Sequence, residues 1–239
     1  MSSGASAILG IYCFMLPNTP PKLSSNKKLS FREIMGIDAL SMLKDKGFLF
    51  FFIASILICV PLAFYYQHAN QFLNELGMKA AASKMILGQI SEVLFLLLLP
   101  IFIKRYGIKN ALIVGILAWG IRYILFAYGN VGTQVWMLIF GIILHGVCYD
   151  FFFVSGQIYT DFKAGEKFKS TAQGLITLAT YGVGMLIGFR FAGWLTDQYV
   201  TDSGHLWKNI WIQPAIFSFV VLTLFLIFFK NETIKIKTV

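Results

Sequence analysis

The chain is poor in charged residues, and acidic residues are the scarcest of them. Asp, Glu, Lys and Arg make up 13% of its 239 residues, whereas about a quarter of a soluble domain is charged. There are 11 acidic against 20 basic residues, which gives a formal net charge of +9. A soluble fold needs more polar side chains than this to cover its surface. The composition therefore excludes an ordinary water-soluble domain.

Cysteines and catalytic motifs are also scarce. Three cysteines, Cys13, Cys59 and Cys148, lie in apolar stretches without a CxxC spacing, so neither a disulfide framework nor a metal site is indicated. The sequence has no GxSxG motif, Gly-rich phosphate loop or metal-ligand pattern, and we predict no enzyme, no cofactor and no metal. The basic residues stand in short groups between apolar runs, which argues against nucleic acid as a partner.

Apolar residues are abundant, at 57% hydrophobic and 16% aromatic. Six apolar segments are each long enough to cross a ~30 Å hydrocarbon layer as a helix, and none alternates as a barrel strand does. They cover about 47–73, 84–103, 110–128, 134–159, 171–200 and 209–229. The sequence thus predicts an all-α integral membrane protein whose six transmembrane helices form a bundle over residues 47–230, surrounded by the lipid bilayer.

The flanking segments have different patterns. The apolar run within 1–17 is too short to cross a bilayer, and we expect it to be the tail of a truncated transmembrane helix. Residues 18–46 open with Pro and Ser and then place apolar side chains near helical spacing from Ser30 to Leu43. This pattern predicts a loop with a short amphipathic helix, lying either along the membrane or on the bundle. Residues 231–239 form a tail.

The basic residues predict the orientation of the bundle. Fifteen of the 20 Lys and Arg lie in segment 18–46, in two alternate loops and in the tail, while the other loops hold three. Lys and Arg are enriched in cytoplasmic loops. We therefore expect a multi-pass plasma-membrane protein with a cytoplasmic C-terminus.

Polar side chains within the apolar segments are the first candidates for function, because charge in lipid is costly. Gln89 and Glu92 are three residues apart and share one face of the second segment, where the carboxyl can pick up and release a proton. His145 and Tyr149 are an i, i+4 pair in the fourth segment and suit the wall of a pocket for a polar ring solute. Tyr66, after a proline in the first segment, offers a further ring and hydroxyl.

Other intramembrane residues favour structural roles. Asp150 is rotated by about 100° from Tyr149, and we expect it to make a structural or gating contact. For Arg122 the pattern favours snorkelling or a structural pair. Gly184 and Gly188 form a GxxxG pair that permits close helix packing.

Several motifs resemble the bacterial nucleoside:proton symporters of the major facilitator superfamily. They are the segments 88–92 (GQISE), 100–110 (PIFIKRYGIKN), 145–153 (HGVCYDFFF) and 170–174 (STAQG). The resemblance covers nearly the whole chain and implies the C-terminal half of a twelve-helix transporter in the bacterial inner membrane, whose N-terminal half is missing here.

The resemblance also implies roles for particular residues. Gln89 and Glu92 match family positions that line the nucleoside site, and His145 and Tyr149 match its aromatic pocket positions. An ungapped comparison places the family's nucleoside-binding amides at Ala63 and Tyr66. Arg105 lies in a loop like the superfamily's cytoplasmic signature, although Lys104 replaces its usual acid.

The resulting hypothesis is proton-coupled nucleoside import by alternating access, with Glu92 carrying the proton. Two alternatives stay open: a facilitator of another small polar solute such as a sugar or nucleobase, and an inactive truncated membrane protein.

Overall fold

The computed structural model of the chain describes residues 2–18 and 37–230. Its α-helices are α1 (Ser2–Cys13), α2 (Lys46–Glu75), α3 (Ala81–Tyr106), α4 (Ile108–Tyr128), α5 (Val135–Tyr149), α6 (Ser155–Thr177), α7 (Met185–Asp197) and α8 (Trp207–Phe228). A 3₁₀ helix covers Ile37–Lys44, and two π-helical turns, Asp150–Val154 and Leu178–Gly184, join α5 to α6 and α6 to α7. Strands β1 (Val200–Thr201) and β2 (Gly204–His205) pair antiparallel.

Six helical segments are long and apolar enough to cross a membrane. We number them span 1 to span 6: Lys46–Glu75, Ala81–Tyr106, Ile108–Tyr128, Val135–Glu166, Phe168–Asp197 and Trp207–Phe228. Gly165, with φ of 61° and ψ of 178°, interrupts α6 and lets the chain turn from span 4 into span 5. The predicted all-α architecture with six spans is confirmed.

Burial differs strongly among the spans. In the most apolar 18 residues of spans 1 and 3, 61% are buried, against 22% in span 2. Span 1 packs against spans 5 and 6, span 3 against spans 4 and 6, and span 2 chiefly against span 4. Spans 1 and 3 therefore form the centre of the bundle, and span 2 is its most exposed helix.

Aromatic rings fill the centre of the bundle. Tyr123 of span 3 stacks on Trp211 of span 6, with ring centroids 5.4 Å apart and planes 8° apart. The Tyr123 hydroxyl donates to the carbonyl oxygen of Pro61, where span 1 continues as helix. Rings of this size dominate the apolar burial that holds such a core together.

We call the two ends of the bundle the basic end, with Lys104 and Lys163, and the hairpin end, with β1 and β2. At the basic end the 3₁₀ helix packs on α6 and span 1 and buries Ala39. The amphipathic helix predicted from Ser30 to Leu43 stays a prediction, because its residues 30–36 lie outside the described residues, as does the tail 231–239. At the hairpin end Glu75 accepts a hydrogen bond from Nε1 of Trp207 at 2.8 Å.

Candidate solute and proton site

Spans 2 and 4 cross at a glycine. A Cβ on Gly146 would lie 2.5 Å from the backbone nitrogen of Glu92. Only glycine, which has no side chain, fits at this contact. The backbone N–H of Gly146 also donates to Oγ of Ser91 at 3.2 Å. This close crossing brings Glu92 of span 2 next to His145 of span 4.

Three polar side chains, Arg122, His145 and Glu92, form what we call the polar row. Nη1 of Arg122 lies 3.1 Å from Nδ1 of His145, and Nε2 of His145 lies 3.8 Å from Oε2 of Glu92. Arg122 has 0% exposure and His145 4%, while the Glu92 side chain is 34% exposed. The polar row thus runs from the centre of the bundle to its open face.

Tyr65 of span 1 covers the buried part of the polar row. The guanidinium carbon of Arg122 lies 3.6 Å from the Tyr65 ring centroid, and the Tyr65 and His145 rings stack at 5.2 Å with planes 27° apart. A cation over an aromatic face is attracted by the ring quadrupole, and the attraction grows when both groups are desolvated. Tyr65 therefore stabilises a guanidinium that has no carboxylate within ion-pair distance among residues 2–18 and 37–230.

Two tyrosines connect spans 4 and 5 beside the polar row. The hydroxyls of Tyr149 and Tyr181 are 2.5 Å apart, and we call these residues the tyrosine pair. Tyr149 directly precedes the π-helical turn of span 4, and Tyr181 lies within that of span 5. Tyr66 of span 1, 48% exposed, is close enough to interact electrostatically with Tyr149 and Glu92. Spans 1, 2, 4 and 5 thus contribute to one surface, which we call the polar patch. Its residues are Tyr66, Glu92, His145, Tyr149 and Tyr181.

Asp150 brings a second carboxyl to this region. It is 1% exposed, its Oδ2 has no hydrogen-bond partner in the described part of the chain, and it interacts electrostatically with Glu92. Asp150 therefore lies buried beside the patch and not on its surface. Burying a carboxylate without a partner costs free energy.

The structure brings four of the six predicted solute-binding residues together: Glu92, His145, Tyr149 and Tyr66. Gln89 is exposed one helical turn from Glu92. Ala63 is not part of this group, because it has 0% exposure and faces Gly188. A Cβ on Gly188 would lie 2.7 Å from the Cβ of Ala63. The side chain of Ala63 therefore serves the contact between spans 1 and 5.

The residues predicted to be structural occupy different parts of the bundle. Arg122 does not snorkel, because its guanidinium is buried in the polar row. Gly184 and Gly188 face span 1, with Gly184 against Cys59 and Gly188 against Ala63. Arg105 is exposed at the basic end, its guanidinium carbon 5.3 Å from the ring centroid of Tyr106.

Sequence reasoning missed Tyr65 and Tyr181. Tyr65 stands directly before Tyr66, and the helical period turns adjacent side chains about 100° apart, so only the packing tells which of the two lies inside. Tyr181 did carry a signal, because a hydroxyl stands there within the glycine-rich apolar stretch of span 5. Within residues 2–18 and 37–230, no three His, Cys, Asp or Glu side chains are grouped to hold a metal ion.

The site lies on an open face of the bundle. Glu92, Tyr66 and Tyr181 all keep a third to a half of their surface exposed. A solute resting on this patch would be covered from one side, whereas binding pockets bury most of a small ligand.

Comparison with known proteins connects this fold to transporters. A family model described as nucleoside H+ symporter matches residues 1–234. YegT of Escherichia coli K12, which bears the name of a nucleoside transporter, is 43% identical over 99% of this chain and 58% of its own length. The nucleoside permease NupG of the same strain is 31% identical over 100% of this chain and 59% of its own length.

Solved structures give the same result. The crystal structure of the nucleoside transporter NupG matches 95% of this chain and 58% of that chain, with a TM-score of 0.76 and 32% identity. A mutant form of NupG matches 94% of this chain and 58% of that chain, with a TM-score of 0.82 and 31% identity. The chain thus spans a little over half the length of these relatives, and its fold is that of half a transporter.

Proposed function

The chain belongs to the nucleoside H+ symporter family, and we propose that it forms the C-terminal half of a proton-coupled nucleoside importer. The observation that carries this proposal is the polar patch on an open face of an otherwise apolar bundle. Such a patch is expensive in lipid and serves a purpose when a second half-bundle covers it. Alternating access then follows from rocking the two halves around a site between them.

We assign the solute contacts to the exposed side chains of the patch and to the edge of the buried His145 that faces them. Gln89 and Glu92 supply hydrogen-bond donors and acceptors from span 2, and His145 supplies an imidazole edge. The rings of Tyr66 and Tyr149 offer apolar faces to a base, and their hydroxyls offer polar groups to a ribose. Ala63, with no exposed surface, is left out of this assignment.

Glu92 is our candidate for the proton carrier. It is the carboxyl of the patch that has direct access to the open face, and it has no Lys or Arg partner within ion-pair distance among the described residues. Protonation removes its charge and so lowers the cost of closing a dry cavity around it. Proton and solute then travel in the same closing step.

The test is nucleoside uptake against external pH, in vesicles that contain the chain joined to the N-terminal half of NupG. Glu92→Gln is expected to abolish accumulation driven by a proton gradient while allowing exchange of labelled for unlabelled nucleoside. Glu166→Gln, at an exposed position beyond the patch, is the matched control and is expected to behave as the parent. Gradient-driven accumulation that survives Glu92→Gln would exclude the coupling role.

Competition defines the solute. Excess sugar or nucleobase that blocks uptake better than nucleoside would identify a facilitator for that solute. A joined protein that is folded in the membrane but neither transports nor binds nucleoside would identify an inactive half. We also propose the bacterial inner membrane as location, with the basic end and the C-terminus cytoplasmic. A reporter enzyme that is active only in the periplasm, fused after Val239, is expected to be inactive.

A further inference from the structure

The hydrogen bond between Arg122 and His145 has a fixed direction. A guanidinium is a donor only and accepts no hydrogen bond. Nδ1 of His145, 3.1 Å from Nη1 of Arg122, must therefore accept, and it can do so only without a proton of its own. The ring proton of neutral His145 then resides on Nε2, the nitrogen that faces Glu92.

The hydrogen bond from Arg122 holds His145 in this orientation. Tyr65 covers the ring face, and Gly88 lies beside the opposite edge of the ring, near Cδ2. Turning the ring over would exchange Nδ1 with Cδ2 and leave the buried guanidinium without its hydrogen bond. Nε and Nη2 of Arg122 already have no partner in the described part of the chain, so that loss would be expensive.

Charged and titratable groups face the ring from four spans: Arg122 from span 3, Glu92 from span 2, Tyr65 from span 1 and Tyr149 from span 4 itself. Tyr66, Cys148 and Asp150 lie one step further out, beside Glu92 or Arg122. A proton added to Nδ1 would point at the N–H of a buried cation. Arg122 thus opposes that proton by both charge and geometry.

We propose that Arg122 is a positioning residue that holds His145 as its Nε2–H tautomer, so that the site presents a fixed N–H donor beside Glu92. The separation of 3.8 Å between Nε2 and Oε2 of Glu92 is too long for a direct hydrogen bond. The donor is therefore free for an acceptor atom of the solute. Building on the proposed function, this selects nucleosides that turn a carbonyl or ribose oxygen toward His145.

Nitrogen NMR of the histidine-labelled chain in bilayers tests the tautomer without any transport. The chain has three histidines, and His145→Gln assigns the signal. We expect a protonated Nε2 and a bare Nδ1 on His145 from acid to neutral pH. An Nδ1–H tautomer, or a ring doubly protonated at neutral pH, would overturn the proposal. His68→Gln and His205→Gln give the same assignment by elimination if His145→Gln fails to fold.

Two arginine variants separate positioning from packing. Arg122→Met is expected to give mixed tautomers and a ring that becomes doubly protonated in mild acid, while Arg122→Lys, which retains a donor, is expected to restore the Nε2–H form. The matched control Arg190→Met changes an exposed arginine of span 5 and is expected to leave the signal unchanged. An unaltered His145 signal in Arg122→Met would contradict the proposal.

Uptake by the joined transporter tests the selection of solute. Loss of one oriented hydrogen bond is expected to raise the nucleoside KM about 10-fold in Arg122→Met with little change in kcat. In a His145→Gln background the same substitution is expected to have no further effect on KM. Equal effects in both backgrounds would refute the link, whereas a correct tautomer without any nucleoside uptake would refute the proposed function and the solute selection, but not the positioning by Arg122.

Discussion

Asp45 stabilises the start of span 1 at the basic end through two contacts. Its Oδ1 accepts from the backbone N–H of Phe48 at 2.8 Å, and its Oδ2 lies 3.1 Å from Nζ of Lys163. The N–H of Phe48 contributes most to lowering the pKa of Asp45 below its ordinary value, and Lys163 adds to it. This carboxylate therefore both caps a helix and connects it to span 4.

Substitution of Asp45 separates the two contacts. Asp45→Ala is expected to lose about 1 kcal/mol of stability, because the helix loses its N-cap, while Asp45→Asn retains the cap and loses less. Because the pKa is lower in the folded chain, the stabilisation is present above the ordinary pKa and is lost as pH falls through the lowered value. Unfolding of the chain in micelles at several pH values measures this, and equal stability of both variants would contradict the capping role.

Single residues of the site differ in how far the sequence reveals them. Glu92 could be found because a carboxyl within an apolar run is visible without a structure. The partner of Arg122 could not, since His145 lies 23 positions away and only the packing of spans 3 and 4 brings the two together. A buried arginine and a snorkelling arginine have the same sequence signature.

At the scale of helices, the crossing of spans 2 and 4 depends on Gly146. Gly146→Ala would place a Cβ 2.5 Å from the backbone of Ser91 and Glu92, so the two spans must separate. We expect a loss of about 1–3 kcal/mol from this overpacking, together with loss of uptake as Glu92 moves away from His145.

Gly174→Ala is the matched control for this helix crossing. A Cβ there would meet nothing within 4 Å, and alanine in a helix is favoured over glycine by about 0.5–1 kcal/mol. Thermal unfolding and nucleoside uptake of the two variants are compared with the parent. An Ala variant at position 146 as stable as the one at position 174 would show that the crossing tolerates separation.

Apolar length predicts helices better than it predicts their interruptions. Eleven of the twelve span ends were located from the sequence to within three residues, because crossing a hydrocarbon layer requires about 20 apolar residues. The exception is span 4, which was predicted to end at 159 and extends to Glu166. The two π-helical turns and the hairpin of β1 and β2 were missed. A π-turn adds one residue to a helical period, and a two-residue strand is too short to show alternation, so neither leaves a pattern in the sequence.

At the scale of the whole molecule, the bundle is asymmetric. Spans 1 and 3 are shielded by their neighbours, whereas only 22% of the most apolar 18 residues of span 2 are buried. Span 2 carries Gln89 and Glu92 on its exposed surface. The sequence indicated which residues are polar, but it could not show that they share one open face. That face requires the packing of four spans, and it is the main reason to expect a second half-bundle.

Covering of the open face can be measured by thiol labelling. In the chain alone, in micelles and with Cys13 replaced by Ser, Gln89→Cys is expected to react with a small maleimide, since this position is exposed. Its rate is expressed relative to that of Asp202→Cys, which is exposed in the hairpin. Joining the chain to the N-terminal half of NupG is expected to slow labelling at position 89, and added nucleoside to slow it further, because the second half and the solute exclude the reagent.

Three positions serve as references in this labelling experiment. Cys59 and Cys148 are buried and are expected to stay unlabelled throughout, which verifies that the bundle is folded, while position 202 is expected to react equally in every sample. If position 89 reacts equally fast in the chain alone, in the joined protein and with nucleoside present, the patch faces water or lipid in the assembled protein. In that case the solute is held elsewhere, and the polar row has a structural role within this half of the transporter.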